Sequence, residues 1–150
     1  MLKYREMTEE DCKEVAILEK ENFEHPWSFD SLIKEVHNES SVFITAVSDG
    51  KVAGYAGMYI VCDEGDITNI VVGEDYRGKG IASGMMDYLI QKADSMKIND
   101  MTLEVRVSNL TAIHLYEKFG FVSEGIRPGF YDSPNEDAMI MWRRGVNNYH

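Results

Sequence analysis

Apolar positions recur along this chain with two different periods, and the switches between them mark its elements. Residues Leu2 to Met7 suit a short first strand, and Thr8-Glu9-Glu10-Asp11 reads as a capping box opening a helix that runs to about Asn22. Pro26-Trp27-Ser28 breaks the chain. Ser28 can then cap a second helix through about Val36, in which Phe29, Leu32, Ile33 and Val36 keep helical spacing. From Ser41 the period is that of strands: Val42 to Val47, then Asp49-Gly50, then Lys51 to Val61. Asp-Gly between two such runs predicts a hairpin, because both turn positions need positive φ. Glu64-Gly65 introduces a third strand, Asp66 to Val72, and Ile81 to Met96 reads as an amphipathic helix with Ile81, Met85, Tyr88, Leu89, Ala93 and Met96 on one face. Met101 to Val107 is a further strand, followed by a short helix capped by Asn109 and ended by Gly120. Phe121 to Ile126 and Ala138 to Trp142 complete the sheet.

This order predicts an α/β (α+β) fold: a mixed, mostly antiparallel sheet with flanking helices and one central β-α-β crossover. Antiparallel strands coming first exclude a plain doubly wound sheet. No repeat or linker interrupts the pattern, so residues 1–150 are expected to form a single domain.

Composition narrows the class. A chain of 150 residues with 44% hydrophobic content supports one core. No apolar run approaches the ~18 residues of a membrane helix, and the N-terminus lacks a basic start followed by an apolar stretch; a soluble, cytoplasmic protein is expected. Cys12 and Cys62 stand far apart without His or Cys neighbours at ligand spacing, and both are expected to be buried small hydrophobes. His25, His37, His114 and His150 do not share a helical face with a carboxylate, so no metal site is expected. The net charge of −11 opposes binding to a nucleic-acid backbone and suits a cationic partner.

The crossover carries the chemistry. Between the third strand and its helix lies Gly73-Glu74-Asp75-Tyr76-Arg77-Gly78-Lys79-Gly80. A glycine-rich turn entering a helix aims several backbone N–H groups and the positive end of the helix dipole at one point, which suits a pyrophosphate. Gly78 and Gly80 would admit the phosphates closely, and Arg77 and Lys79 add positive charge. The Rossmann fingerprint does not fit: its third glycine is missing, the turn is too long, and no carboxylate ends the next strand. A Walker loop fails for want of Gly-Lys-Ser/Thr.

Arg77-Gly78-Lys79-Gly80-Ile81-Ala82 resembles the Arg/Gln-x-x-Gly-x-Gly/Ala pyrophosphate signature of the GNAT acetyltransferases, and Asn69-Ile70-Val71-Val72 resembles their splayed strand. The resemblance spans nearly the whole chain and narrows to the RimI-type ribosomal-protein-alanine N-acetyltransferases. His25-Pro26-Trp27-Ser28, Leu103-Glu104-Val105-Arg106, Ser108-Asn109 with Leu115-Tyr116 and Gly120-Phe121, and Glu136 to Met141 carry it. Ala82 stands where a glycine is commoner, and His25 where an aromatic often precedes Pro-Trp.

The resemblance implies acetyl-CoA as co-substrate, held by Ile70, Val71 and Val72, by Arg77, Gly78, Lys79, Gly80, Ile81, Ala82 and Ser83, and by Asn109 and Tyr116. It implies Glu104 as general base and Tyr116 as the acid that protonates the departing thiolate, with Trp27 and Tyr131 at the acceptor. The implied acceptor is the N-terminal alanine of a basic, small-subunit ribosomal protein. Lysine side chains, small amines such as polyamines, and a non-catalytic acetyl-CoA-sensing role stay open. So do a solvated Glu104, or one paired with Arg106, and a Tyr116 that only packs the core.

Overall fold

The computed structural model describes residues 1–132 and 134–145. Its strands are β1 (Leu2–Glu6), β2 (Ser41–Ser48), β3 (Lys51–Val61), β4 (Glu64–Val72), β5 (Asp100–Arg106), β6 (Val122–Asp132) and β7 (Asn135–Arg143); its helices are α1 (Cys12–Asn22), α2 (Phe29–Val36), α3 (Ile81–Ser95) and α4 (Leu110–Lys118). Among the described residues the strands form one seven-stranded sheet in the order β1-β2-β3-β4-β5-β7-β6. The β2–β3 hairpin turns on Asp49 and Gly50, at φ 50° and 82°, as the Asp-Gly pair requires. Two helix entries are capped by a side chain: Ser28 Oγ accepts from Ser31 N at 3.1 Å at the start of α2, and Asn109 Oδ1 accepts from Ala112 N at 3.2 Å at the start of α4. Gly120, at φ 93°, ends α4.

The β4–β5 pair is parallel, because α3 carries the chain back across the sheet between them. This pairing lasts only from Glu64↔Asp100 through Gly65↔Met101 to Asp66↔Thr102. Beyond that rung the sheet is split. The cause lies in β4, whose register against β3 jumps from Ile67↔Met58 to Asn69↔Gly57, leaving Thr68 as an extra residue. Such a bulge bends and over-twists its strand, here away from β5.

The bulge also exchanges the faces of β4. Ile67 packs in the larger core with α3 and the interior of β5 (Met101, Leu103, Val105), and past Thr68 it is Ile70 and Val72 that turn to that side. Val71 turns to the smaller core beneath α1 and α2, with Val15, Leu18, Leu32, Phe43 and Tyr55. On β5 the alternate residues Thr102, Glu104 and Arg106 face the α1/α2 side and stay half-buried.

Tight approach fixes β1 to α3: a Cβ on Gly84 would fall on the Tyr4 ring. Gly84→Ala should therefore destabilise the fold by about 1–3 kcal/mol through overpacking, despite alanine's better helix propensity. Thermal unfolding followed by circular dichroism checks this, and a raised melting temperature would refute it.

Three expectations are corrected. Cys62 is exposed, at φ 57° in the turn between β3 and β4, where only Cys12 of the two cysteines is a core residue. Met96 is 42% exposed because α3 ends before it, and Met86 and Ile90 take core positions instead. The strand expected to end at Ile126 runs on to Asp132, so that Arg127 to Tyr131 lie within β6, irregularly paired with β7.

Candidate active site

The split in the sheet is flanked by a cavity of about 640 Å³ on the α3/α4 side, bordered by Ile70 and Val72, the glycine turn, and α4 from Asn109 to Lys118. Gly78 and Gly80 both sit at φ 77°, a conformation that favours glycine, and open space surrounds the position of a Cβ on either. No side chain caps α3, and its first turn holds no acidic residue. The N–H groups of Ile81, Ala82 and Ser83 thus meet the cavity with the dipole uncompensated. A pyrophosphate with an attached thiol arm fits this shape: anion at the helix start, arm along Ile70 and Val72.

The predicted cofactor residues do not all act alike. Gly78, Gly80, Ile81, Ala82, Ser83, Asn109 and Tyr116 line the cavity with Ile70 and Val72. Val71 points its side chain to the opposite core, so only its backbone is available on the split. Arg77 borders the cavity, but its guanidinium is spent on structure: Nε donates to Val72 O at 3.2 Å and a terminal nitrogen to Asn22 Oδ1 at 2.6 Å. Lys79 lies 5.9 Å over the Tyr76 ring. Ile81 is mostly core, 3% exposed.

Across the split, Glu104 pairs with Arg127 at 3.8 Å, not with Arg106. Arg106 instead reaches Pro134 O at 2.8 Å and Glu136 at 3.3 Å, and stacks 4.3 Å over the Tyr131 ring. Tyr131 joins the two sides. Burial raises its phenol pKa, and the negative charge of Glu104 adds to this while Arg106 opposes it. Tyr116, from the cavity wall, is pushed up to about 12 by burial, with Tyr131 adding to the shift. The structure thus brings Tyr116, Tyr131 and Glu104 into one electrostatic cluster, with Tyr116 reached from one face of the sheet and Glu104 lying on the other.

Trp27 is not part of that cluster. Its backbone N–H donates to Glu19 Oε1 at 2.8 Å, and its ring packs 5.7 Å from Phe43. Phe43 lies against Gly57, the rung partner of Asn69, so Trp27 borders the split only through Phe43. Two groups escaped the sequence reading. Asp66 occupies the last β4–β5 rung, and its pKa is raised by burial, then by Glu104, with Arg127 opposing. Asn69 Oδ1 is buried without a hydrogen-bond partner among the described residues. Their only sequence signal was position on the third strand, which could not reveal the bulge between them. Among the described residues no group of His, Cys, Asp and Glu could hold a metal ion, and His150 lies outside those residues.

A split parallel pair beside an uncapped glycine turn, with a tyrosine and a carboxylate on opposite faces, suits acyl transfer from a phosphate-bearing thioester and points to the N-acetyltransferase class. Residues 6–121 match the acetyltransferase (GNAT) family, and the chain belongs to that family, which uses acetyl-CoA as co-substrate. A [ribosomal protein bS18]-alanine N-acetyltransferase of Escherichia coli (strain K12) is 34% identical over 118 residues, 77% of this chain and 79% of its own. A Bacillus subtilis (strain 168) protein provisionally assigned the same activity is 37% identical over 139 residues, 92% of each chain. The crystal structure of the ribosomal-protein-S18-alanine N-acetyltransferase from Escherichia coli superposes with a TM-score of 0.87 at 29% identity, covering 96% of this chain and 94% of that one. No helix among the described residues is long and apolar enough to cross a membrane.

Proposed function

We propose that this enzyme acetylates the N-terminal alanine of ribosomal protein bS18, a cytoplasmic activity carried by residues 1–150 as one domain. The observation that carries the reading is the split: it joins a cavity suited to acetyl-CoA on one face to a carboxylate on the other, with Tyr116 and Tyr131 between them. The relatives' names supply the acceptor, and two physical facts favour it. An α-amine, at pKa ~8 against ~10.4 for lysine, is far more often unprotonated at neutral pH. A chain of net charge −11 attracts a basic ribosomal tail.

Bound acetyl-CoA supplies a thioester carbonyl open to attack and a thiol leaving group. Glu104 takes the proton from the amine, directly or through water, so that its lone pair is free. Tyr131 holds the backbone of the acceptor peptide, and Trp27 supports the wall of the acceptor side through Phe43. Asn109 presents its side chain to the arm of the cofactor while capping α4. Tyr116 returns a proton to the departing sulfur. With its pKa pushed up to about 12, Tyr116 keeps that proton throughout the working range, because a raised phenol pKa delays ionisation.

Tyr116→Phe should reduce turnover about 10²-fold and by the same factor at pH 7 and pH 10, since the phenol stays protonated across that span. Stability should hardly change, as the ring still packs 6.1 Å from Phe121. Full activity of the Phe variant would leave Tyr116 as packing only. The acceptor is tested by acetylation of a peptide panel. An alanine-starting bS18 peptide should exceed Nα-blocked lysine peptides and polyamines at least tenfold in kcat/KM; a lysine peptide or polyamine that wins overturns the assignment.

A further inference from the structure

Register places three acceptor groups around the mouth of the split. Asp66 stands on the last paired rung, opposite Tyr59 on β3 and Thr102 on β5, and so on the α1/α2 face of the sheet. Glu104 is two residues farther along β5 and shares that face. Asn69 is three residues farther along β4, but the extra residue Thr68 restores it to the same face, opposite Gly57. Asp66 therefore closes the base of a triangle whose other corners, Asn69 and Glu104, stand on the two diverging strands.

Asn69 Oδ1 is the one fully buried atom of the three, and Asp66 and Glu104 are half-buried carboxylates. Among the described residues the Asp66 and Glu104 carboxylates accept no hydrogen bond, Glu104 having only the loose 3.8 Å pairing with Arg127. Among the described residues Asn69 Oδ1 is buried without a donor, an unfavourable state for an amide oxygen. Two carboxylates and a buried amide oxygen on one face of the diverging strands suit a compact cation with several N–H groups.

The geometry points to Asp66 and Asn69 as substrate-binding residues that, with Glu104, form a three-acceptor seat for the α-ammonium group of the incoming peptide. An R–NH₃⁺ group has three hydrogens, one for each corner. Docked there, it gives one proton to Glu104, and the free amine remains held by Asp66 and Asn69 at the opening toward the cofactor cavity. Burial, and after it the charge of Glu104, raises the pKa of Asp66, and a bound cation would favour its charged form again. The seat thus selects ammonium over any neutral N-terminus and favours release once the amine has become an amide.

This inference rests on the proposed α-amine acceptor, and two versions of one peptide separate the two. Binding of an alanine-starting bS18 peptide and of its Nα-acetylated product to the CoA-loaded enzyme is measured by calorimetry for wild type, Asp66→Asn and Asn69→Ala. Each substitution should weaken the free-amine peptide at least tenfold and change the acetylated peptide less than twofold. CoA affinity and the melting temperature report whether each variant is folded, and the two variants stand in for one another. Equal loss for both peptides, or no loss for either, overturns the seat while leaving the enzyme's acceptor intact. A wild-type enzyme that neither binds nor acetylates the alanine peptide overturns both.

Discussion

Glu104→Gln should lower turnover by about 10²-fold or more while leaving acetyl-CoA affinity within twofold of wild type. Glutamine keeps the shape of the side chain and its place on the α1/α2 face of β5, but it cannot take a proton from the amine. The cofactor cavity lies on the other face, lined by α3, α4, Ile70 and Val72, so binding there should not register the change. The deficit should be greatest at low pH. Below the amine pKa of ~8 nearly all the acceptor is ammonium and depends on a base, whereas at pH 9 much of it is already free. Turnover measured from pH 6 to 9 tests this, and a variant that keeps wild-type turnover over that range would place the base elsewhere.

The second large effect concerns the cofactor. Gly80→Val should weaken acetyl-CoA binding by at least 100-fold in calorimetry. Gly80 adopts φ 77°, ψ 13°, a left-handed conformation that costs a non-glycine residue roughly 1–2 kcal/mol and a β-branched one more. That strain should lower the melting temperature, yet it is too small to unfold a domain of ordinary stability. Binding suffers more, because a branched side chain would occupy the open space before the N–H groups of α3, where the pyrophosphate is expected. Unchanged affinity in the folded variant would remove the glycine turn from the binding site.

Much of this was legible in the sequence because local chemistry determined it. Asp49-Gly50 leaves the chain little choice but a hairpin, Asn109 caps α4 from its own side chain, and the glycine turn requires the two positive φ values it shows. The roles proposed for Glu104 and Tyr116 rest on resemblance, and the structure adds that the environment of Tyr131 includes the charge of Glu104 while Tyr131 in turn acts on Tyr116. What stayed hidden was non-local. The bulge at Thr68 arises from pairing with β3, and it alone decides that Ile70 and Val72 face the cavity while Val71 and Asn69 do not. Nor could the sequence show that Asn22, far away along the chain, accepts from the Arg77 guanidinium. Glu104 and Arg106 share a face, as their spacing requires, yet each takes its partner from beyond β5, Arg127 in one case and Glu136 in the other.

The central claim is that the split lets an amine on one face attack a thioester on the other directly, within one complex. The cysteines support this by their positions: Cys12 is fully buried, and Cys62 sits in the turn before β4, at the end where β4 and β5 are still paired. Neither is placed to carry an acetyl group. Initial rates with acetyl-CoA and the alanine peptide varied together decide the matter. Direct transfer requires intersecting double-reciprocal lines; parallel lines, the signature of an acetylated enzyme formed before the peptide binds, would contradict it.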